Sequence, residues 1–128
     1  GSAQTQLLLK EAQKHIGVPY KVAGTDPTGF DCSGFTCYVF EKQGVKLPRR
    51  AMDQYSFCQV IDPEKAAAGD LVFFSDGNTV NHVGILISEK GAPKQMIHSS
   101  SSIGISIVDI ETSTYWQTRI AGYGRVKP

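Results

Sequence analysis

The sequence predicts an α+β fold in which N-terminal helices pack on one side of an antiparallel β-sheet. Apolar residues in the first half recur at helical spacing, and the second half breaks into short β-rich runs separated by Gly, Asn, Asp and Ser. Those runs follow one another without the intervening helices that parallel crossovers require.

Leu8, Ala12 and Ile16 stand at i, i+4 and i+8, and Gly17 with Pro19 ends this first helix. A second helix is expected to begin near Cys32, because Phe35, Val39 and Phe40 share a face, Asp31 stands at or beside the N-cap, and Gly44 suits the C-terminal cap. After Pro48 a short helix is expected over 51–57, with Arg49 and Arg50 just ahead of it. Strands are expected over 71–75, 80–88, 95–99, 104–110 and 119–126.

A chain of 128 residues is near the usual size of one domain, so a single catalytic or binding domain is expected. With 41% hydrophobic and 20% charged residues it is not disordered, and 13 Lys+Arg against 12 Asp+Glu leaves no basic surface for nucleic acid. No apolar run approaches the roughly 20 residues of a membrane span. Nothing in the chain calls for more than a monomer. It opens Gly1-Ser2 without methionine, which reads as an expression remnant from which a natural leader or lipid anchor is expected to have been removed. Three cysteines are too few for a disulfide scaffold and odd in number, so at least one thiol is unpaired within the chain.

Cys32 is the thiol of most chemical interest. At the first turn of a helix it meets the positive end of the helix dipole, which favours the thiolate and predicts a depressed pKa and fast alkylation. Gly34 permits close approach of another chain or a substrate. An isolated free cysteine is most often a small buried apolar residue, so other residues must support a catalytic role. His82 and His98 supply that support. A hairpin turn centred on position 90 opposes them directly on one face and opposes Val83 to Ile97 on the other, and Gly84 leaves space beside His82. A thiol at a helix N-terminus, an imidazole to take and return its proton, and a second imidazole to fix the tautomer are the parts that cysteine catalysis requires.

In chain order the motifs are GVPYKVAG (17–24), DCSGF (31–35), LPR (47–49), GDLVFF (69–74), NHVGI (81–85) and MIHSS (96–100). On these motifs the chain resembles the NlpC/P60 family of papain-like cysteine peptidases over roughly residues 10–126. DCSG followed by HVGI is the most specific part of the match. The resemblance implies a papain-like fold, Cys32 as nucleophile, His82 as general base and then acid, and His98 as third polar residue. It implies Tyr20 beside the nucleophile, with its hydroxyl and the Cys32 N–H serving the oxyanion, and Asp31 and Ser33 helping to grip the substrate. The implied partners are peptidoglycan stem peptides or muropeptides, cut between γ-D-glutamate and the following diamino acid by a protein secreted, periplasmic or bound to the envelope. The hairpin between the histidines, with GAPK in its turn, is longer than in many members, and the 128 residues hold no SH3-like or LysM wall-binding segment.

Three other readings remain open at this point. A CHAP-like amidase would keep the Cys and His roles but cut another wall amide, and a binding domain would keep the site idle. A zinc site from Cys32, Cys58, His82 and His98 lacks the close ligand pair such sites show, so no metal and no other cofactor is expected. Cys37, about 140° around the helix from Cys32, is expected to pack away from it. A Cys37–Cys58 disulfide is a minor alternative, His15 is expected at the surface, and Phe30 and Trp116 are not assigned to the site, Trp116 being expected to be an ordinary packing residue.

Overall fold

The structure is a computed structural model that describes residues 2–127, so Gly1 of the suspected remnant lies outside the described residues. Helix α1 spans Ala3–Gln13, and Leu8 and Ala12 are its buried residues. It stops before Ile16, which is half exposed, and His15 takes the inward position instead. His15 accepts no surface role: its ring packs edge-on against Phe30, Phe35 and Tyr38, and Nε2 meets Glu11 at 2.9 Å. Leu8, Ala12 and His15 follow the helical repeat as i, i+4 and i+7, an equally regular stripe that a buried polar residue disguised.

Helices α2 (Cys32–Glu41) and α3 (Ala51–Phe57) form where the sequence places them. Before α2 comes a two-stranded hairpin, β1 (Thr25–Asp26) and β2 (Gly29–Phe30), turning on Asp26-Pro27-Thr28-Gly29. Six strands make the main sheet: β3 (Gln59–Ile61), β4 (Leu71–Ser75), β5 (Val80–Leu86), β6 (Gln95–Ser100), β7 (Gly104–Asp109) and β8 (Ile120–Arg125). Their order is β3-β8-β4-β5-β6-β7 and every pairing is antiparallel. The hairpin β1–β2 and edge strand β3 are additions to the expected set.

The sheet is covered on both faces. Leu71, Phe73, Val83, Ile85, Ile97 and Ile105 pack under α1, α2 and α3. The alternate residues Val72, Phe74, Leu86 and Met96 join Ile110, Tyr123 and the short helix α4 (Thr114–Gln117) on the opposite face. This explains why β4 reads Leu-Val-Phe-Phe without polar alternation, since a strand buried on both sides needs apolar residues at consecutive positions.

The β5–β6 register differs from expectation by two residues. Ile85 faces Ile97 and Leu86 faces Met96, so the hairpin is centred on position 91, and a Glu89–Ala92 turn with Gly91 at φ +85° precedes Pro93. A shift of two preserves side-chain parity. His82 and His98 therefore still share a face as diagonal neighbours, and Val83 and Ile97 still share the core face. In this register Gly84 stands beside His98, and the expected space is filled: a Cβ there would meet Met96 Sδ at 2.6 Å and His98 Cβ at 3.3 Å.

Candidate active site

The first turn of α2 is built by Asp31. Its Oδ1 accepts the Gly34 N–H at 2.7 Å, capping the helix N-terminus, where the Cys32 and Ser33 N–H groups have no intrahelical partner and lie beside the Cys32 thiol. Gly34 is required by packing, because a Cβ would run into the Gly24 carbonyl oxygen. The close approach the sequence anticipated is thus made by the chain itself. Arg49 braces the turn from outside: Nη1 and Nη2 reach Asp31 Oδ1 and Oδ2 at 3.2 and 2.7 Å, and Nη1 donates to Ser33 Oγ at 2.9 Å. Beneath them the buried Gln54 donates to the Ser33 and Pro48 carbonyls and accepts from the Thr36 hydroxyl at 2.8 Å. Asp31 and Ser33 lie beside Cys32 as expected, but their side chains are already engaged by Arg49, which the sequence marks only as the last residue of LPR and as lying just ahead of the 51–57 helix.

The cleft runs across the N-terminus of α2 and the start of β5. One arm, a cavity of about 720 Å³, is lined by Tyr20, Cys32, His82, His98, Tyr115 and Trp116, among others. The second arm has Tyr20 and Cys32 in common with the first and continues past Asp31, Ser33 and Arg49. The structure therefore brings all six predicted site residues to one groove. Cys37 is turned away, its thiol 3.2 Å from the Pro48 carbonyl, and all three cysteines are free. Among the described residues no three His, Cys, Asp or Glu side chains gather as a metal-holding group.

His82 Nε2 and His98 Nδ1 are 2.7 Å apart. For His82 Nδ1 to accept a thiol proton, the neutral ring must carry its hydrogen on Nε2, and that hydrogen is donated to His98 Nδ1. His98 is 1% exposed, so the bond is dry on that side. Burial, reinforced by the neighbouring His98, pushes His82 down to about 3, and burial alone takes His98 to about 4. The Cys32 thiol is pushed up, first by burial and then by the Asp31 charge, against the smaller pull of the Val83, Ser33 and Cys32 backbone N–H groups. The expectation of a depressed thiol pKa is thus reversed, because desolvation outweighs the helix terminus, and the resting pair is a neutral thiol and a neutral imidazole. Burial, with the nearby Asp31 charge adding to it, also raises the Tyr20 hydroxyl, which keeps it a donor.

Trp116 packs against the apolar cluster that holds Phe74 and Tyr123, as the sequence suggested, and it also meets the two histidines. It lies nearly parallel to His82, with centroids 4.7 Å apart and planes at 22°, and meets His98 edge-on at 5.2 Å. Helix α4 holds it there through a Ser113 cap that accepts the Trp116 N–H. No helix is expected here from the sequence; a capping serine ahead of Thr-Tyr-Trp is its one local signal, and nothing local announces the partner of the indole.

The sequence model of the NlpC/P60 family matches residues 17–125. The "Probable endopeptidase p60" of Listeria welshimeri is 44% identical over 119 residues, which cover 93% of this chain and 22% of that protein. The "Bifunctional muramidase/DL-endopeptidase CwlT" of Bacillus subtilis is 40% identical over 126 residues, 95% of this chain and 36% of that protein. The chain thus spans about a fifth to a third of the length of these curated relatives. A solved NLP/P60-family structure from Staphylococcus aureus superposes with a TM-score of 0.86 at 38% identity, covering all of this chain and 43% of that one. With the thiol and two histidines gathered in one cleft and the family match running across most of the chain, this protein belongs to the NlpC/P60 family.

Proposed function

We propose that the chain is the catalytic domain of a cysteine endopeptidase that hydrolyses peptidoglycan stem peptides at the γ-D-glutamyl to diamino acid bond. The observation that carries this reading is the 2.7 Å His82–His98 bond opening on the same cleft as Cys32 at the N-terminus of α2. The name DL-endopeptidase borne by the B. subtilis relative supports the choice of bond, since the bond runs from a D to an L centre.

His82 Nδ1 takes the thiol proton as Cys32 Sγ attacks the γ-carbonyl carbon, so charge develops only as the bond forms. The carbonyl oxygen becomes an oxyanion that the Cys32 N–H and the Tyr20 hydroxyl receive. As the C–N bond breaks, His82 returns the proton to the leaving amine and a thioester remains. Water, deprotonated by His82, then attacks the thioester; the C–S bond breaks, His82 hands the proton to the departing sulfur to restore the thiol, and the new γ-carboxyl group leaves as its carboxylate after losing its proton to solvent. His98 accepts the Nε2 hydrogen throughout and holds the ring in the working tautomer.

The two arms of the cleft give the substrate a direction. The leaving amine must receive its proton from His82, so the diamino acid occupies the arm lined by His82 and His98. The γ-D-glutamyl residue then lies in the other arm, where a γ-linkage leaves its α-carboxylate free to meet Arg49. The implied place of action is the bacterial envelope, outside the cytoplasm; among the described residues no helix is long and apolar enough to cross a membrane.

Digestion of a defined L-Ala-γ-D-Glu-diamino acid tripeptide tests the proposal by product mass. Release of L-Ala-γ-D-Glu, lost in Cys32→Ala, is expected; cleavage of a sugar-linked amide in muropeptides instead, or a Cys32→Ala variant as fast as the parent, overturns it.

A further inference from the structure

Trp116 touches both imidazoles of the relay while lining the cleft itself. Its indole stacks on His82 and stands perpendicular to the His98 ring, and Phe74 packs against the indole at 4.8 Å. The ring is anchored independently of any substrate. Helix α4 is capped by Ser113, the Arg119 guanidinium lies 3.7 Å above the Tyr115 ring, and the Arg119 carbonyl accepts the Ser75 N–H at 2.8 Å, tying this segment to β4.

We propose that Trp116 is a positioning residue of the hydrolysis, clamping the His82 imidazole in line with His98 and keeping water from the bond between them. The inference rests on His82 being the general base. The clamp is needed because His82 stands near the start of β5 beside an open cleft, where an imidazole has two soft torsions and water competes for both ring nitrogens. A parallel indole at 4.7 Å blocks ring rotation without consuming either nitrogen. Two electrostatic effects of the indole oppose each other. Its face attracts the imidazolium that forms when the thiol proton arrives, and its bulk removes water that would solvate that charge. At this partly buried ring the indole covers a face that water would otherwise reach, and we take that exclusion as the larger effect, so removing the indole makes His82 easier to protonate.

The test compares Trp116→Leu and Trp116→Phe with the parent, following the His82 imidazole signal by NMR across a pH titration and measuring kcat and KM on the defined tripeptide. For Trp116→Leu the titration midpoint of His82 is expected to rise by about one unit or more. The same variant should lose about tenfold to a hundredfold in kcat while KM stays within about twofold. Trp116→Phe, which keeps a flat ring over His82, should fall between parent and Leu variant in both measurements, and it decides the question if the Leu variant does not fold. A His82 midpoint that stays put or moves down, or a loss carried wholly by KM, overturns the clamp and makes Trp116 a substrate contact or a packing residue. His82→Gln separates this failure from that of the mechanism: if that variant keeps parental activity, His82 is not the base, while the resting-state titration still decides whether Trp116 shields it.

Discussion

The histidine pair, His98 buried and His82 partly so, should make the fold acid-sensitive well above the range in which carboxylates titrate. Unfolded, each imidazole has a pKa near 6.5; folded, burial holds His82 at about 3 and His98 at about 4. Between these values the unfolded chain binds protons that the native protein refuses, so stability rises with pH. The contribution is complete above about pH 6.5 and is lost as pH falls toward the folded values. One unit is worth about 1.4 kcal/mol per group, so lowering pH from 7 to 5 costs about 2 kcal/mol per imidazole and about 4 kcal/mol for the pair. Set against the roughly 5–15 kcal/mol that holds a domain together, this is a large fraction. Equilibrium urea unfolding at pH 7 and pH 5, on the parent and on a His82→Gln/His98→Gln double variant, measures it. The parent should lose about 4 kcal/mol more than the double variant. His15 is present in both proteins and cancels. Equal losses in the two proteins would refute the reasoning, because the pair would then titrate as exposed histidines do.

The same values place the reaction's acid limb: because the base must be neutral, kcat/KM should be level from about pH 8 down to about pH 5, and a limb with a midpoint near 6.5 would show that His82 is solvated. Alkylation of Cys32 by iodoacetamide should climb steadily through pH 9, as for a neutral thiol, and a rate independent of pH between about 6 and 8 would instead reveal a preformed ion pair. Arg49→Ala should raise KM for the tripeptide roughly tenfold, with Arg49→Lys restoring little because an ammonium cannot match the fork over Asp31 and Ser33. Its effect on stability should stay within about 1 kcal/mol, since the Arg49 side chain is 42% exposed; an unchanged KM would remove Arg49 from the substrate. Gly84→Ala pushes a methyl group against Met96 Sδ and His98 Cβ, so urea unfolding should show a loss of about 1–3 kcal/mol, and kcat should fall if His98 orients the base.

Much of the site was legible because its motifs are local. Asp31 and Cys32 are adjacent in sequence, and a helix start fixes the geometry of adjacent residues, so the cap and the thiol could be placed together. The two histidines were placed on one face by strand parity, which survived an error of two in the register, whereas an error of one would have separated them. What stayed hidden depended on contacts between segments far apart in sequence. Trp116 lies 34 positions beyond His82, on a four-residue helix that no periodic pattern announces. His15 followed the helical stripe but carried a polar ring, so composition argued against its burial in an aromatic cluster.

The sequence by itself determined the order of helices and strands, the identity of the candidate nucleophile and base, and the family expectation, because these rest on periodicity, capping chemistry and short motifs. Only the tertiary structure decided the charge state of the site. Helix polarity, a local property, favours a thiolate, but burial is a property of everything that surrounds the group, and here it drives thiol and imidazoles alike toward their neutral forms. The same holds for Arg49 over Asp31 and for Trp116 over His82: each residue is visible in the chain, and its role arises only where folding sets it against its partner.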